Sequence, residues 1–169
     1  MPGLDNALEL ARDGFRVFPV HSIREGRCTC GNPACGSPGK HPRKAGWQQA
    51  ASSDEAEVRA AFKPYPESNI GIATGQGLVV VDLDGQEGLD TLAAWERENG
   101  PIPITPQVRT GGGGLHLYFA SDEKVKNSVR NVGPGVDIRS DGGFVVGPGS
   151  QHISGQSYAW IEGRRPNEM

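Results

Sequence analysis

The stretch LVVVDLDG at residues 78–85 is the most strand-like run of the chain, and two carboxylates interrupt its apolar end. Side chains on a β-strand point alternately to its two faces. Asp82 and Asp84 are therefore predicted to share one face with Val80, whereas Leu83 points to the other face. Like charges this close repel each other unless cations neutralise them. The pair of acids requires either basic partners or a divalent metal.

The length of 169 residues and the hydrophobic content of 36% predict one globular domain, residues 1–169, with a substantial core. The 25 glycines and 13 prolines favour short strands joined by tight turns. The net charge of −3 gives no general attraction to nucleic acid, so any basic surface must be local. No apolar run is long enough for a membrane span, and no signal-peptide pattern is present. A cytoplasmic protein without a membrane partner is expected.

The spacing of apolar residues along the chain predicts an α+β fold. Helices are predicted from Leu4 to a stop at Gly14, from Asp54 to Phe62 with Ser52 or Ser53 as the cap, and from Gln86 to Asn99. Besides the acidic strand, short strands are predicted at residues 15–20, 70–73, 108–110, 115–120, 135–138, 144–147 and 158–161. The tripeptide Asp141-Gly142-Gly143 is predicted to form a hairpin turn.

The segment 22–44 is polar, rich in glycine and proline, and holds all three cysteines of the chain. A segment this long without periodicity needs something other than a hydrophobic core to order it. Its four candidate metal ligands are Cys28, Cys30, Cys35 and His41. Three thiolates and one imidazole suit a structural zinc ion, and four ligands leave no open position for catalysis. His21 is an alternative fourth ligand, and free cysteines in a loop are the alternative to a metal site.

A second glycine-rich segment, TGGGGLHLYF at residues 110–119, leads into a predicted strand. His116 and Tyr118 share one face of that strand. Glycines permit a close backbone approach to a ligand, and Gly113 and Gly114 can present N–H groups to phosphate oxygens. Alone, a glycine run is more often a flexible turn, and a single histidine on a strand is more often structural.

In the third segment, GVDIRSDGGFVVGPGS at residues 135–150, Asp137 and Arg139 share a face. Asp137 is an unpaired charge in a strand unless Arg139 or a metal satisfies it. Taken singly, each acid of the chain is expected to pair with a neighbouring base on a solvated face. Three strands that each present an acid or a histidine beside a glycine-rich turn instead favour a site for two-metal phosphoryl transfer.

The order of these three segments resembles the catalytic motifs of the archaeo-eukaryotic primase superfamily, in the branch called the bifunctional primase-polymerase (prim-pol) domain. The similarity also includes ALELARDGFRVFPV, GKHPRKAGW, NIGIATG and SGQSYAW, and so covers nearly the whole chain. The resemblance implies the archaeo-eukaryotic primase fold, in which an RRM-like antiparallel sheet packs with a smaller α/β module. It also supports a zinc-bearing loop over residues 22–44.

The resemblance implies roles for individual residues. The acids of the first and third motifs bind divalent metals in that family, which implies two Mg²⁺ or Mn²⁺ ions held by Asp82, Asp84 and Asp137. The histidine of the second motif contacts the phosphates of the incoming nucleotide, which implies this role for His116. The implied catalytic residues are these three acids and His116. The implied partners are NTP or dNTP, a single-stranded DNA template and, in a longer protein, a helicase or a helical primase subdomain.

Other polar side chains are candidates for contacts to nucleotide or template. Arg139, on the face of Asp137, is a candidate second contact to the triphosphate. The other predicted nucleotide contacts are Asn69 and Thr74 in NIGIATG, and Ser150 and His152 after the third motif. Template contacts are expected from local basic groups, because phosphate contacts dominate affinity for nucleic acid. These groups are Lys40, Arg43, Lys44, Lys124, Lys126 and Arg130.

The leading hypothesis is a metal-dependent DNA primase-polymerase, which is a nucleotidyltransferase. A metal-dependent phosphohydrolase that uses the same acids is the rival among enzymes. A zinc-stabilised nucleic-acid binding module with a vestigial site is the rival from another class. The presence of a suitable residue at every catalytic position argues against a vestigial site.

Overall fold

The structure, a computed structural model, describes residues 2–169 and shows a mixed α+β fold with antiparallel sheets. The helices are α1 (Pro2–Arg12), α2 (Trp47–Ala50), α3 (Glu55–Phe62) and α4 (Gly85–Asn99), with a 3₁₀ helix at Pro166–Glu168. The strands are β1 (Val17–Val20), β2 (Ile23–Arg24), β3 (Arg27–Cys28), β4 (Asn69–Ala73), β5 (Leu78–Leu83), β6 (Gln107–Arg109), β7 (Leu115–Ala120), β8 (Ser128–Gly133), β9 (Val136–Arg139), β10 (Phe144–Val146) and β11 (Ala159–Trp160).

The chain divides into two compact units. The first comprises the chain up to Ala73 together with Phe144–Ala159, and the second comprises Thr74–Gly143 with Trp160–Met169. No helix within residues 2–169 combines the length and the apolar character that crossing a bilayer requires.

The first unit contains a three-stranded antiparallel sheet in the order β1-β4-β10. Phe18 on β1 is buried and stacks on Trp47 at 4.6 Å between ring centroids. The helix predicted at Asp54–Phe62 is confirmed as α3, but the predicted serine cap is wrong. Asp54 is the cap, and its Oδ1 accepts the N–H of Glu57 at 3.0 Å. Ser52 instead accepts the N–H of Asp54, so it supports the turn that precedes the helix.

The second unit contains a six-stranded sheet in the order β11-β6-β7-β5-β9-β8. The pairings of β5 with β7 and β9, of β6 with β7, and of β8 with β9 are all antiparallel. Leu83, Leu117 and Val136 form a buried cluster on one face of this sheet. Leu89 and Leu92 of α4 pack against that cluster, so the helix covers the apolar face.

The turn predicted at Asp141-Gly142-Gly143 forms, but the predicted hairpin is wrong. The N–H of Gly143 donates to the carbonyl of Ser140 at 2.9 Å, and Gly142 has a φ of 76°. However, β9 pairs with β5 and β8, whereas β10 pairs with β4. The reason is burial, because Val145 and Val146 of β10 are buried in the first unit. Local turn chemistry fixes the reversal of the chain but not the partner of the next strand.

Asn69 on β4 joins two backbone segments of the first unit. Its Nδ2 donates to the carbonyls of Gly39 at 3.0 Å and Gln151 at 2.8 Å, and its Oδ1 accepts the N–H of Gln151 at 2.9 Å. The residue is buried. The amide therefore connects the cysteine-bearing segment to the loop after β10.

We expect Asn69→Ala to lower the free energy of unfolding by about 2–4 kcal/mol, because it leaves buried backbone groups without partners. Asn99→Ala is the control, since Asn99 is exposed and its side chain donates to the carbonyl of Trp95 within the same helix. Chemical denaturation of both variants measures the difference. Wild-type stability of Asn69→Ala would contradict the structural role and return this amide to the candidate nucleotide contacts.

Candidate active site and zinc cluster

Three polar side chains form one row across the centre of the six-stranded sheet. Asp82 on β5 lies opposite His116 on β7 and opposite Asp137 on β9. His116 is buried, and its Nε2 lies 3.5 Å from Oδ1 of Asp82. Both carboxylates are partly exposed. The structure thus brings together one residue from each of the three segments that the sequence analysis singled out.

The alternation predicted for the acidic strand is confirmed for its last residues. Asp82 belongs to the polar row, whereas Val81 and Leu83 on either side of it belong to the apolar face that packs with α4. On β7, His116 is flanked in the same way by Leu115 and Leu117. The sheet therefore has one apolar face and one face that carries the row.

Arg139 shares the face of Asp137, as predicted. Its Nη2 lies 3.1 Å from Oδ2 of Asp137, so the acid–base pairing considered from the sequence does occur at this position. Directly opposed like charges in a sheet are destabilising. The guanidinium beside Asp137 lowers that cost, and the His116 imidazole lies beside Asp82 on the other side of the row.

Tyr118 is the next residue along the face of His116. Burial, and then the charge of the Asp82 carboxylate, raise the pKa of Tyr118. Its ring lies 5.5 Å from that of Trp160, and its backbone carbonyl accepts the hydroxyl of Thr105. A neutral phenol thus lies near the row and can donate a hydrogen bond without adding charge.

Asp84 does not lie on the strand, in contrast to the prediction. Strand β5 ends at Leu83, and Asp84 occupies the N-cap position of α4, where its side chain is exposed and makes no capping hydrogen bond. The backbone causes this change, because Gly85 turns with a φ of 56° and the Gly88 N–H bonds the carbonyl of Asp84 at 3.1 Å in the first turn of α4. Within residues 2–169, the three carboxylates are not gathered into a set with all ligand atoms within 4.8 Å.

The glycine run before β7 forms a tight turn that Thr110 closes. The Thr110 hydroxyl accepts the N–H of Gly114 at 2.9 Å, and its carbonyl accepts the N–H of Gly113 at 3.1 Å. A Cβ on Gly114 would overlap the carbonyl oxygen of Leu83. The turn therefore packs directly against the backbone of Leu83, which lies between Asp82 and Asp84. Thr110 was not selected from the sequence, although a threonine directly before a glycine run is a typical turn-closing signal.

Other predicted nucleotide contacts bond the protein backbone. In the second unit, Thr74 is buried and donates to the carbonyl of Ser140 at 2.6 Å. In the first unit, Ser150 is buried and accepts the N–H of Ile70 at 2.9 Å. His152 contacts the hydroxyl of Ser154 at 2.9 Å through Nδ1, and burial followed by the charge of Lys40 lowers its pKa. A nucleotide contact by these side chains stays a prediction.

The four predicted soft ligands form one cluster in the first unit. One ligand atom from each of Cys28, Cys30, Cys35 and His41 lies within 4.8 Å of all the others. Nε2 of His41 is 3.5 Å from the Sγ atoms of both Cys28 and Cys35. All three cysteines are free thiols. Three thiols and one imidazole at this spacing can hold a zinc ion.

The surroundings of Cys28 favour its thiolate. Burial raises the pKa of Cys28, but hydrogen bonds from the backbone N–H groups of Gly39 and Cys30, and from the side chains of Cys30 and His41, outweigh burial and lower the pKa to about 6. The Gly39 N–H lies 3.4 Å from the sulfur. A thiolate is the form that ligates zinc.

His21, the alternative fourth ligand, lies beside the cluster but outside it. Its Nδ1 is 3.0 Å from the hydroxyl of Thr29, and its ring lies 4.5 Å from the ring of His41. Its backbone N–H donates to the carbonyl of His41 at 2.9 Å. His21 thus packs against the cluster and fixes the backbone of His41.

Arg43, one of the predicted template contacts, bonds the protein. Its Nε donates to the hydroxyl of Ser68 at 2.5 Å, its Nη2 donates to Thr29 at 3.1 Å, and its guanidinium lies 4.4 Å from the centre of the Tyr65 ring. Lys40 and Lys44 on either side are exposed. Among Lys40, Arg43 and Lys44, the two lysines therefore have the side chains that are accessible to phosphate groups of a template.

The model of a family of bifunctional DNA primase/polymerase N-terminal domains matches residues 7–169. The chain therefore belongs to the Prim-Pol family, as its motifs indicated. Membership implies a nucleotidyltransferase of the DNA primase/polymerase type that binds DNA and nucleotides. No curated protein shows significant similarity to the chain.

We expect Cys30→Ser to reduce the zinc content of the purified protein well below one ion per chain, because a structural site needs all four ligands. The segment 22–44 should then become more sensitive to protease. Asn32→Ala, an exposed change in the same segment, is the matched control. Elemental analysis of protein prepared without chelator gives the metal content. Wild-type protein without zinc would contradict the assignment of the cluster.

We expect Thr110→Val to lower kcat for nucleotide incorporation about tenfold with little change in KM, because it removes the hydroxyl that fixes Gly114 while preserving side-chain shape. Thr110→Ser keeps the hydroxyl and should restore kcat. Steady-state incorporation by the three proteins makes the comparison. Equal activity of the valine and serine variants would show that the hydrogen bond does not position the row.

Proposed function

We propose that the protein is the catalytic core of a metal-dependent DNA primase-polymerase. It transfers nucleotides from NTP or dNTP to a 3′-hydroxyl on a single-stranded DNA template. The observation that carries the proposal is the pairing of Asp82 with Asp137 across adjacent strands, with His116 on the other side of Asp82. In a chain of the Prim-Pol family, this row contains the residue types that the reaction requires.

The chemistry of the donor set fits hard divalent cations. Asp82 and Asp137 offer carboxylate oxygens from adjacent strands, and Asp84 follows two residues after Asp82 with an exposed side chain. Carboxylate oxygens are the ligands that Mg²⁺ and Mn²⁺ prefer. Arg139 offsets the charge of Asp137 on one side of the row, and a divalent cation would offset the remaining negative charge.

Asp82, Asp84 and Asp137 would hold two such ions. When bound, these ions lower the pKa of the attacking 3′-hydroxyl and stabilise the charge on the leaving pyrophosphate. Asp84 lies at the junction of β5 and α4, directly after Leu83, so its side chain has to turn toward the row to share an ion with Asp82 and Asp137.

His116 and Arg139 would orient the triphosphate. The Nε2 of His116 faces the row and can donate to a phosphate oxygen. Arg139 uses one nitrogen for Asp137, and its planar fork has further N–H groups for a phosphate. Positive or hydrogen-bonding groups at this place stabilise negative charge that develops during phosphoryl transfer.

Gly113 and Gly114 have a structural role beside the predicted contact to phosphates. Both N–H groups bond Thr110. Gly114 also packs closely against Leu83, and Gly113 has the positive φ of 87° that the turn requires. Asn69, Thr74 and Ser150 likewise position the backbone, since their polar atoms contact main-chain groups, and their nucleotide contacts stay predictions.

The zinc cluster has a structural role in this proposal. It orders the segment 22–44, which exposes Lys40 and Lys44 for contacts to a template backbone. A phosphohydrolase would use the same acids but would need no template. A binding module with a vestigial site would need neither the acids nor incorporation, so the products separate these alternatives.

We expect Asp82→Asn to reduce nucleotide incorporation on the order of a hundredfold or more, because the amide keeps the shape but loses the anionic ligand. The assay contains single-stranded template, primer, Mn²⁺ and labelled nucleotides. Asp90→Asn on the exposed side of α4 is the control and should retain full activity.

The products distinguish the alternatives. Extended or newly primed strands that depend on Asp82 support the proposal. Release of free phosphate without extension would identify a phosphohydrolase. Template binding without either product, unaffected by Asp82→Asn, would identify a binding module and overturn the proposed activity.

A further inference from the structure

A cleft lies on the sheet face opposite the row, between α4 and the six-stranded sheet. Its volume is about 460 Å³, within the range of ligand-binding cavities in proteins. Thr91 and Glu98 are the two polar side chains in its lining. The sheet supplies Val81, Leu83, Leu117, Phe119, Val136 and Ile138. The proposed activity uses none of these side chains.

Helix α4 covers this face without closing the cleft. At its N-terminal end the buried Gly88 lies against the chain at Gly135, where a Cβ on Gly88 would come within 2.5 Å of the Gly135 carbonyl. Further along, Trp95 lines the cleft and is 46% exposed, and Val132 on the sheet side is 57% exposed. The apolar lining is therefore continuous with an exposed apolar surface, which is typical of an interaction site.

The charges of α4 indicate what this surface can accept. The helix carries four acids and one arginine, namely Glu87, Asp90, Glu96, Glu98 and Arg97. Residues 87, 91, 95 and 98 follow one another at helical spacing along one side of α4. On this side of the helix, Thr91 and Trp95 lie in the middle, with Glu87 at one end and Glu98 at the other. The two acids are separated by eleven positions, or about 16 Å along the helix.

We propose that the cleft docks an amphipathic helical segment of a protein partner, with apolar anchors in its centre and Lys or Arg at both ends. Large apolar side chains of such a segment enter the cleft beside Trp95, and its basic ends face Glu87 and Glu98. This is the helix-in-groove mode of recognition, in which anchors recur at helical spacing.

The acidic ends disfavour other occupants. Two copies of this chain that met through the same surface would bring the acids of α4 together, and like charges in apposition oppose association. An anionic membrane surface is disfavoured for the same reason. Because the binding residues are separate from the row, docking does not depend on the proposed chemistry.

The probe is a labelled peptide of about 14 residues with leucines at helical spacing and lysines at both ends. A matched peptide has glutamates in place of the lysines. Fluorescence anisotropy, without nucleotide or DNA, gives the Kd of each peptide. We expect the lysine peptide to bind, and Trp95→Ala to raise its Kd about tenfold or more. Ile104→Ala, which removes a 73% exposed side chain outside the cleft, should leave Kd unchanged.

Glu98→Lys provides a second, charge-based test that needs no change in the apolar lining. This substitution should weaken binding of the lysine peptide and strengthen binding of the glutamate peptide. Nucleotide incorporation by Trp95→Ala should equal that of wild type, which separates loss of docking from loss of activity. Equal binding of both peptides, or equal affinity of wild type and Trp95→Ala, would overturn the proposal. The proposal would also be overturned if wild type self-associated and Trp95→Ala abolished that self-association. The same holds if an apolar dye bound at the cleft while neither peptide did.

Discussion

A like-charged pair at the centre of the sheet is the main electrostatic constraint on the second unit. Asp82 and Asp137 lie directly opposite each other on adjacent antiparallel strands, where two carboxylates repel. Arg139 offsets the charge of Asp137, and the Nε2 of His116 lies 3.5 Å from Asp82 on the other side. Such an arrangement costs stability in a sheet that serves only as scaffold. The cost is consistent with the metal-binding role that we propose for these acids.

Close backbone approaches keep this row in place. Gly114 packs against the carbonyl of Leu83, and Gly88 packs against Gly135, so neither position has room for a Cβ. The first contact fixes the glycine turn beside the acidic peptide, and the second fixes the start of α4 beside β9. Asp84 lies between the two contacts, at the end of β5. Its position is thus defined by two backbone packings although its own side chain is exposed.

The sequence predicted correctly those features of the structure that depend on local chain geometry or on residue chemistry. Period-two alternation predicted that Asp82 and Leu83 face opposite sides, because pleating is a property of the strand itself. The count of thiols and imidazoles predicted the Cys/His cluster, because ligand chemistry does not depend on the fold. The end of strand β5 before Asp84 was missed, since it is set by the left-handed backbone of Gly85, which turns the chain into α4.

Non-local pairing explains the other differences. The turn at Gly142 was predictable, but the partner of β10 is chosen by burial of Val145 and Val146 against β4. Strand β8 (Ser128–Gly133) was missed because SVRNVG mixes polar residues, asparagine and glycine without clear alternation. Its pairing with β9 includes a shift of register, which periodicity cannot reveal. Thr110 was overlooked because its role is a turn hydrogen bond and not a charge.

One set of strands serves both faces of the sheet. Leu83 and Val136, which line the cleft, are the direct chain neighbours of Asp82 and Asp137 in the row. Side chains on both faces of a strand share one backbone. Close packing on one face therefore restricts the backbone that positions side chains on the other face. An apolar residue at position 83 or 136 therefore meets two demands at once. It must fill the face under α4, and it must hold the register that sets Asp82 against Asp137.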